Sequence, residues 1–227
     1  MKKLIVANWK LNPTTQKEAA GLAASIIRTK KNTVVLCPPA VYLSSVDYPL
    51  VGAQDCSWEE KGAFTGQTSP LQLKDLGVKY CIVGHSERRA VGETDGQVNF
   101  KLRTLLEHKI TPIMCVGYGT KAEEDDLEVV DVLRGQMDQG LRGVDAASVI
   151  VAYEPVWAIG TGKNASPEHS EKIAIFIKNK YGVKKVLYGG SVNHLNAKEF
   201  LMQRNVDGLL VGGASLVPSQ FNQIINF

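Results

Sequence analysis

Leu4-Ile-Val-Ala-Asn-Trp9-Lys10 is an apolar run that ends in an amide, an indole and an amine. An open, doubly wound sheet needs a Gly-x-Gly-x-x-Gly turn after an early strand, so that backbone can approach a pyrophosphate. No such fingerprint follows this run or stands elsewhere in the chain. Outward from it, similar short runs recur at Thr33–Cys37, Val51–Gln54, Tyr80–Gly84, Thr111–Val116, Val149–Glu154, Lys185–Tyr188 and Gly208–Val211. They are apolar at successive positions, as parallel strands covered on both faces are. Amphipathic stretches of helical period alternate with them, among them Thr15–Thr29, Asp95–His108, Asp125–Leu141, Pro167–Tyr181 and Asn196–Arg204. Ser166-Pro167 reads as an N-cap followed by Pro at the first helical position. Eight such units in one series, with no linker, predict an α/β fold: a closed (β/α)8 barrel forming a single domain over residues 1–227. The open sheet is the alternative, and it lacks its turn.

Composition narrows the partners. The chain has 227 residues, 44% hydrophobic and 22% charged, ordinary for a globular protein. Its 26 Lys and Arg against 23 Asp and Glu leave +3, too slight to argue for nucleic acid and mildly favourable to an anionic substrate. Apolar stretches are strand-sized, which predicts no membrane span. The basic start Met1-Lys-Lys runs into Asn8 and Lys10 before any long apolar region forms, unlike a signal peptide. Cys37, Cys56, Cys81 and Cys115 form no Cys-x-x-Cys pair and read as reduced, buried thiols of a cytoplasmic protein. The four His show no metal-ligand spacing. Neither a metal nor a cofactor is expected.

Ala152-Tyr-Glu-Pro-Val-Trp-Ala-Ile-Gly-Thr-Gly162 carries the sharpest chemical signal. Glu154 closes a strand, Pro155 stiffens the start of the loop, and an apolar tip leads into Gly160-Thr-Gly162. This pattern suits a general base at the root of a closing lid. It equally suits an ordinary strand-to-helix connection whose carboxylate pairs with a nearby Lys or Arg. In a barrel the C-terminal strand ends build the active site. Those positions hold Asn8 and Lys10, His85 and Glu87, Glu154, Gly189-Gly-Ser191 and Gly212-Gly213. Singly, Lys10 reads as a stem lying on the surface with its head in water, and His85 as a satisfied polar group at a helix start. Together they fit proton transfer on a small phosphorylated carbonyl compound. Glu154 takes a proton from carbon beside a carbonyl, His85 polarises that carbonyl, and Lys10 offsets developing negative charge. Ser191, Gly212 and Gly213 offer backbone N–H groups to a phosphate, with the dipole of a helix after the eighth strand behind them. An aldolase-like use of Lys10 stays formally open.

Six motifs carry a family resemblance: Ala7-Asn-Trp-Lys10, Gly62-Ala-Phe-Thr-Gly66, Val83-Gly-His-Ser-Glu-Arg-Arg89, Ala152–Gly162, Tyr188-Gly-Gly-Ser-Val192 and Val211-Gly-Gly-Ala-Ser-Leu216. With them the chain resembles the triosephosphate isomerases along its whole length. The resemblance implies interconversion of dihydroxyacetone phosphate and D-glyceraldehyde 3-phosphate through an enediolate, in glycolysis and gluconeogenesis. It implies Glu154 as base, His85 as electrophile, Lys10 as electrostatic stabiliser and Asn8 as a substrate-positioning group. The Gly160 N–H would join Ser191, Gly212 and Gly213 at the phosphate as Pro155–Lys163 closes. Glu87 would sit beside Lys10 and His85, with Cys115 behind the base. Loop 58–69, with Phe64 at its tip, would plug into a second subunit of a homodimer. Two departures stand out: Gln67 where many relatives carry Glu, which would weaken an intersubunit pair to Arg88, and Tyr118 where Glu is usual. The helix before Tyr188 also looks short. Another phosphate-binding barrel enzyme, or a non-catalytic sugar-phosphate binder, are the competing readings.

Overall fold

A computed structural model describes residues 2–121, 126–158 and 165–227. Its eight strands are β1 (Leu4–Asn8), β2 (Thr33–Cys37), β3 (Gly52–Ala53), β4 (Tyr80–Val83), β5 (Thr111–Val116), β6 (Ile150–Tyr153), β7 (Lys185–Tyr188) and β8 (Gly208–Val211). All are parallel, in the order β2-β1-β8-β7-β6-β5-β4-β3. The two ends of that order meet where Leu36 bridges Val51 and the Leu36 N–H donates to the Leu50 carbonyl at 3.1 Å. The sheet therefore curls into the expected (β/α)8 barrel.

The unbroken apolar runs have a direct cause. Alternate strand residues point to opposite faces, and here both faces are covered. Leu4, Val6, Val35, Ile82, Ile113, Leu187 and Leu210 belong to an inner cluster built from strand residues. Ile5, Ala7, Val34, Leu36, Val151 and Leu209 belong to the larger cluster shared with the helices. The helices are α1 (Gln16–Ser25), α2 (Pro70–Asp75), α3 (Ser86–Ala90), α4 (Asp95–Glu107), α5 (Asp126–Gly140), α6 (Pro167–Tyr181), α7 (Ala197–Met202) and α8 (Pro218–Ile224). Thr15 with Glu18, Ser69 with Gln72 and Thr94 with Gln97 form capping boxes at α1, α2 and α4. Ser166 caps α6, as its sequence predicts.

Several connections differ from a regular βα alternation, among them that from β4 to β5, which holds both α3 and α4. Between β2 and β3 only a 3-10 turn forms, Ala40–Ser45. Pro38 and Pro39 fix φ and lack N–H groups at its start. After β8, another 3-10 turn (Gly213–Leu216) precedes α8, so the dipole expected behind Gly212 and Gly213 is that of a four-residue turn.

Loop 58–69 has no regular structure of its own but is tied down. Ser57 N–H donates to the Thr68 carbonyl at 2.8 Å and Thr104 Oγ1 to that of Trp58 at 3.1 Å. His108 Nε2 lies 2.8 Å from Glu60 Oε1. Phe64 stays 45% exposed at the tip. Among the described residues no helix is long and apolar enough to cross a membrane, and no group of three His, Cys, Asp or Glu could hold a metal ion.

Candidate active site

Lys10 arrives at the barrel mouth in a costly conformation. Its φ is 54°, a left-handed backbone that ordinarily costs a non-glycine residue about 1–3 kcal/mol. Two side chains hold it there. Asn8 Oδ1 accepts the Lys10 N–H at 3.1 Å, and Gln54 Nε2 donates to the Lys10 and Cys37 carbonyls, both at 2.8 Å. The ammonium then reaches Glu87 Oε1 at 2.6 Å. A Cβ on Gly212 would lie 3.4 Å from Lys10 Cε, so the amine also flanks the turn after β8.

His85 is set by the turn between β4 and α3. Gly84 has φ +69°, which frees its backbone to turn sharply. Its carbonyl accepts Arg89 Nε at 2.8 Å, and its N–H donates to Glu93 Oε2 at 3.0 Å. His85 then caps α3, its Nδ1 accepting the Glu87 N–H at 3.2 Å. That bond occupies the Nδ1 lone pair, so the neutral ring carries its proton on Nε2, facing Glu154 Oε1 at 3.1 Å. Burial pulls the His85 pKa down. Ionised Glu154, then Glu87 with an oxygen 3.7 Å from Nδ1, more than offset this, and the net direction is upward.

Glu154 follows β6, only 2% exposed. Its other oxygen accepts the Ser86 N–H at 3.0 Å. Gly189 makes room for it: a Cβ there would meet Glu154 Cγ at 3.0 Å. Cys115 lies behind. Its burial, and then the adjacent Glu154 carboxylate, push its thiol well above the usual range.

The mouth is a cavity of about 230 Å³, below the ~300–1,000 Å³ of drug-sized sites and scaled to a small metabolite. Asn8, Lys10, His85, Glu154, Ser191, Gly212 and Gly213 all line it. Ser215 pins the last turn: its N–H and Oγ both bond the Gly212 carbonyl, at 2.8 and 2.6 Å. Every expected site residue among the described ones thus lines one cavity or, for Glu87 and Cys115, adjoins a residue that does. Gly160, and most of Pro155–Lys163, lie outside the described residues.

A family model for triosephosphate isomerase matches residues 3–227. The chain belongs to the triosephosphate isomerase family. The triosephosphate isomerase of Thermoanaerobacter pseudethanolicus is 42% identical over 246 aligned positions, which cover 99% of this chain and 98% of that protein. That of Alkaliphilus oremlandii is 42% identical over 248 positions, covering 100% and 99%, and that of Nostoc punctiforme 42% over 241, covering 100% and 99%.

Within this family frame, three features of the site went unread in the sequence. Ser86 supplies a backbone N–H to the carboxylate, Gln54 clamps Lys10 from β3's end, and Arg89 braces the His85 turn. Arg89 Nη1 reaches Asp95 Oδ1 at 2.6 Å and its Nη2 the Cys115 carbonyl at 3.3 Å. The sequence signal was present in the Gly-His-Ser-Glu-Arg-Arg motif, but the partners are distant in the chain. The two departures also have local settings. Arg88 Nε pairs within the chain, 3.1 Å from Asp55 Oδ2. At Tyr118 the loop is held instead by Gln136, whose Oε1 accepts the Gly117 N–H at 2.7 Å and whose Nε2 donates to the Tyr118 carbonyl at 2.6 Å.

Proposed function

We propose that this chain interconverts dihydroxyacetone phosphate and D-glyceraldehyde 3-phosphate, serving glycolysis and gluconeogenesis as a single-domain cytoplasmic homodimer. The reading rests on family membership and, within the site, on one observation: a buried carboxylate and an imidazole 3.1 Å apart share a small cavity with an ammonium and two glycine turns.

Glu154 takes the proton from the carbon beside the carbonyl. The freed electron pair forms the carbon–carbon double bond of the enediolate, and the carbonyl oxygen gains the charge. His85 Nε2–H stands ready to donate to that oxygen, and the ring then relays protons between the two oxygens. Lys10 lowers the energy of the oxyanion, and Asn8 orients the substrate. Glu154 next returns its proton to the neighbouring carbon, which balances the reaction. To reach carbon the carboxylate leaves both the Ser86 N–H and His85 Nε2. That departure removes from His85 the interaction that most raises its pKa, while burial and the Glu87 N–H on Nδ1 favour the neutral ring. Ser191, Gly212 and Gly213, with Gly160 from the loop beyond Glu154, bind the phosphate through backbone N–H groups; those of Gly212 and Gly213 donate to no described residue. Sealing the site from water strengthens these charge interactions and protects the enediolate from losing phosphate.

A coupled assay of glyceraldehyde 3-phosphate isomerisation, with Glu154→Gln beside the parent protein, tests the proposal. Robust turnover that collapses in the variant is expected. A folded parent protein with no turnover would instead favour a sugar-phosphate binder.

A further inference from the structure

The turn after β7 brings a side-chain amide to the cavity wall. Asn193 lines it beside Gly190 and Ser191. Its Oδ1 accepts two backbone N–H groups, from Leu195 at 2.8 Å and Asn196 at 3.2 Å. An amide oxygen has two lone pairs, so this end of the side chain is fully used. The opposite orientation would set the NH2 group against two N–H donors, so Nδ2 is fixed on the other side. It donates to no described residue.

Asn196 locks this arrangement from behind. Its Oδ1 accepts the Asn193 N–H at 2.9 Å and its Nδ2 donates to the Ser191 carbonyl at 3.0 Å. Two amides thus cross-brace residues 191–196, the stretch whose Ser191 and Asn193 both line the cavity. A phosphate dianion carries three strong acceptor oxygens, with more acceptor positions than the few N–H groups of the glycine turns can fill. A neutral amide adds a donor without adding a second cation near Lys10.

We infer that Asn193 is a further binding residue for the substrate's phosphate, donating from Nδ2, with Asn196 as its positioning residue. This rests on the proposed reading of the same cavity. The competing account makes Asn193 a turn cap and nothing more. Two variants separate them, because Asp and Ser both keep a capping oxygen. Asn193→Ser replaces the Nδ2 donor by a shorter hydroxyl that keeps the capping oxygen, withdrawing the donor from the anion without adding charge. Asn193→Asp keeps the shape but turns an anionic oxygen toward the phosphate.

The measurement is the inhibition constant of inorganic phosphate and of 2-phosphoglycolate for each variant, with the thermal midpoint of the free protein recorded beside it. Losing a hydrogen bond to a charged group predicts that both constants rise about tenfold in Asn193→Ser. Asn193→Asp raises them further while its thermal midpoint stays near that of the parent. Asn196→Ala weakens phosphate too, and lowers the thermal midpoint as the brace is lost. Inhibition constants within twofold of the parent protein in both Asn193 variants would overturn the inference and leave the isomerase reading intact. A parent protein that neither turns over nor binds 2-phosphoglycolate would overturn both.

Discussion

Glu154 is held at rest by two donors, the Ser86 N–H and His85 Nε2, and its catalytic reach depends on leaving both. Glu154→Asp draws the carboxylate back by one carbon, and misplacement on the order of 1 Å costs about a hundredfold. A kcat loss of at least that size is expected; a near-parental rate would remove Glu154 from its role. Gly189→Ala tests the same geometry from outside, since the added methyl presses on Glu154 Cγ. It should lower kcat while leaving phosphate inhibition near the parental value, and a parental kcat would show that the base tolerates displacement. His85 gives the pH signature. Its folded pKa lies above the ordinary ~6.5, so its contribution to stability is fully present below that pH and fades as pH rises through the folded value. Imidazole nitrogen shifts recorded by NMR across pH 5–9 should place the midpoint above the ordinary ~6.5; a midpoint below it would show that burial outweighs Glu154 and Glu87. At this scale the sequence was legible wherever chemistry follows from residue type at a strand end, as with Asn8, Lys10, His85 and Glu154. It was silent on Ser86 and Gln54, whose partners lie 68 and 44 residues away.

The elements around the His85 turn are braced by a buried ionic cluster rather than by apolar packing alone. Lys101 of α4 pairs with Glu93 and, at 2.6 Å, with Asp55. Glu93 in turn accepts the Gly84 N–H, so α4, the end of β4 and the chain beyond β3 meet at three charges. Lys101 and Glu93 side chains are only 4% and 3% exposed. Burial lowers the Lys101 pKa, but Asp55 and Glu93 more than reverse this and hold it charged. Lys101→Met would leave two carboxylates facing one another with little water, and breaking such a pair costs about 3–5 kcal/mol. A urea midpoint that falls with unchanged slope is the expected result; an unchanged midpoint would show that water enters the cluster freely. Period and capping made β2, β5, β7, β8 and α6 readable to the residue. Gly84 and Glu154 read as strand ends but fall just past them, where the backbone turns to present the site. The 3-10 turn after β2 escaped because Pro38-Pro39 announces a break without specifying the conformation beyond it.

Across the whole molecule, the aligned length is the notable quantity. Matching Thermoanaerobacter pseudethanolicus takes 246 positions against 227 residues here, so the chain spans nearly all of its relative with gaps opened along the way. None of this thins the core: Cys37, Cys81 and Cys115 are fully buried, and burial raises all three thiols above their ordinary range. A thiol reagent at pH 8 should therefore modify them at the rate of unfolding; rapid labelling of the native protein would mean the barrel breathes. Assembly is the remaining question at this scale. Loop 58–69 is tied to α4 through Thr104 and to its C-cap His108, and α4 also carries Lys101 of the cluster that braces His85. A partner that grips Phe64 would thus load the same helix that supports the catalytic turn. Phe64→Asp places a charge at the exposed tip, and sedimentation should show a shift to monomer with kcat falling in parallel. A monomer that retains full activity would break the link between assembly and the site, and leave the loop's bracing to α4 as a purely internal support.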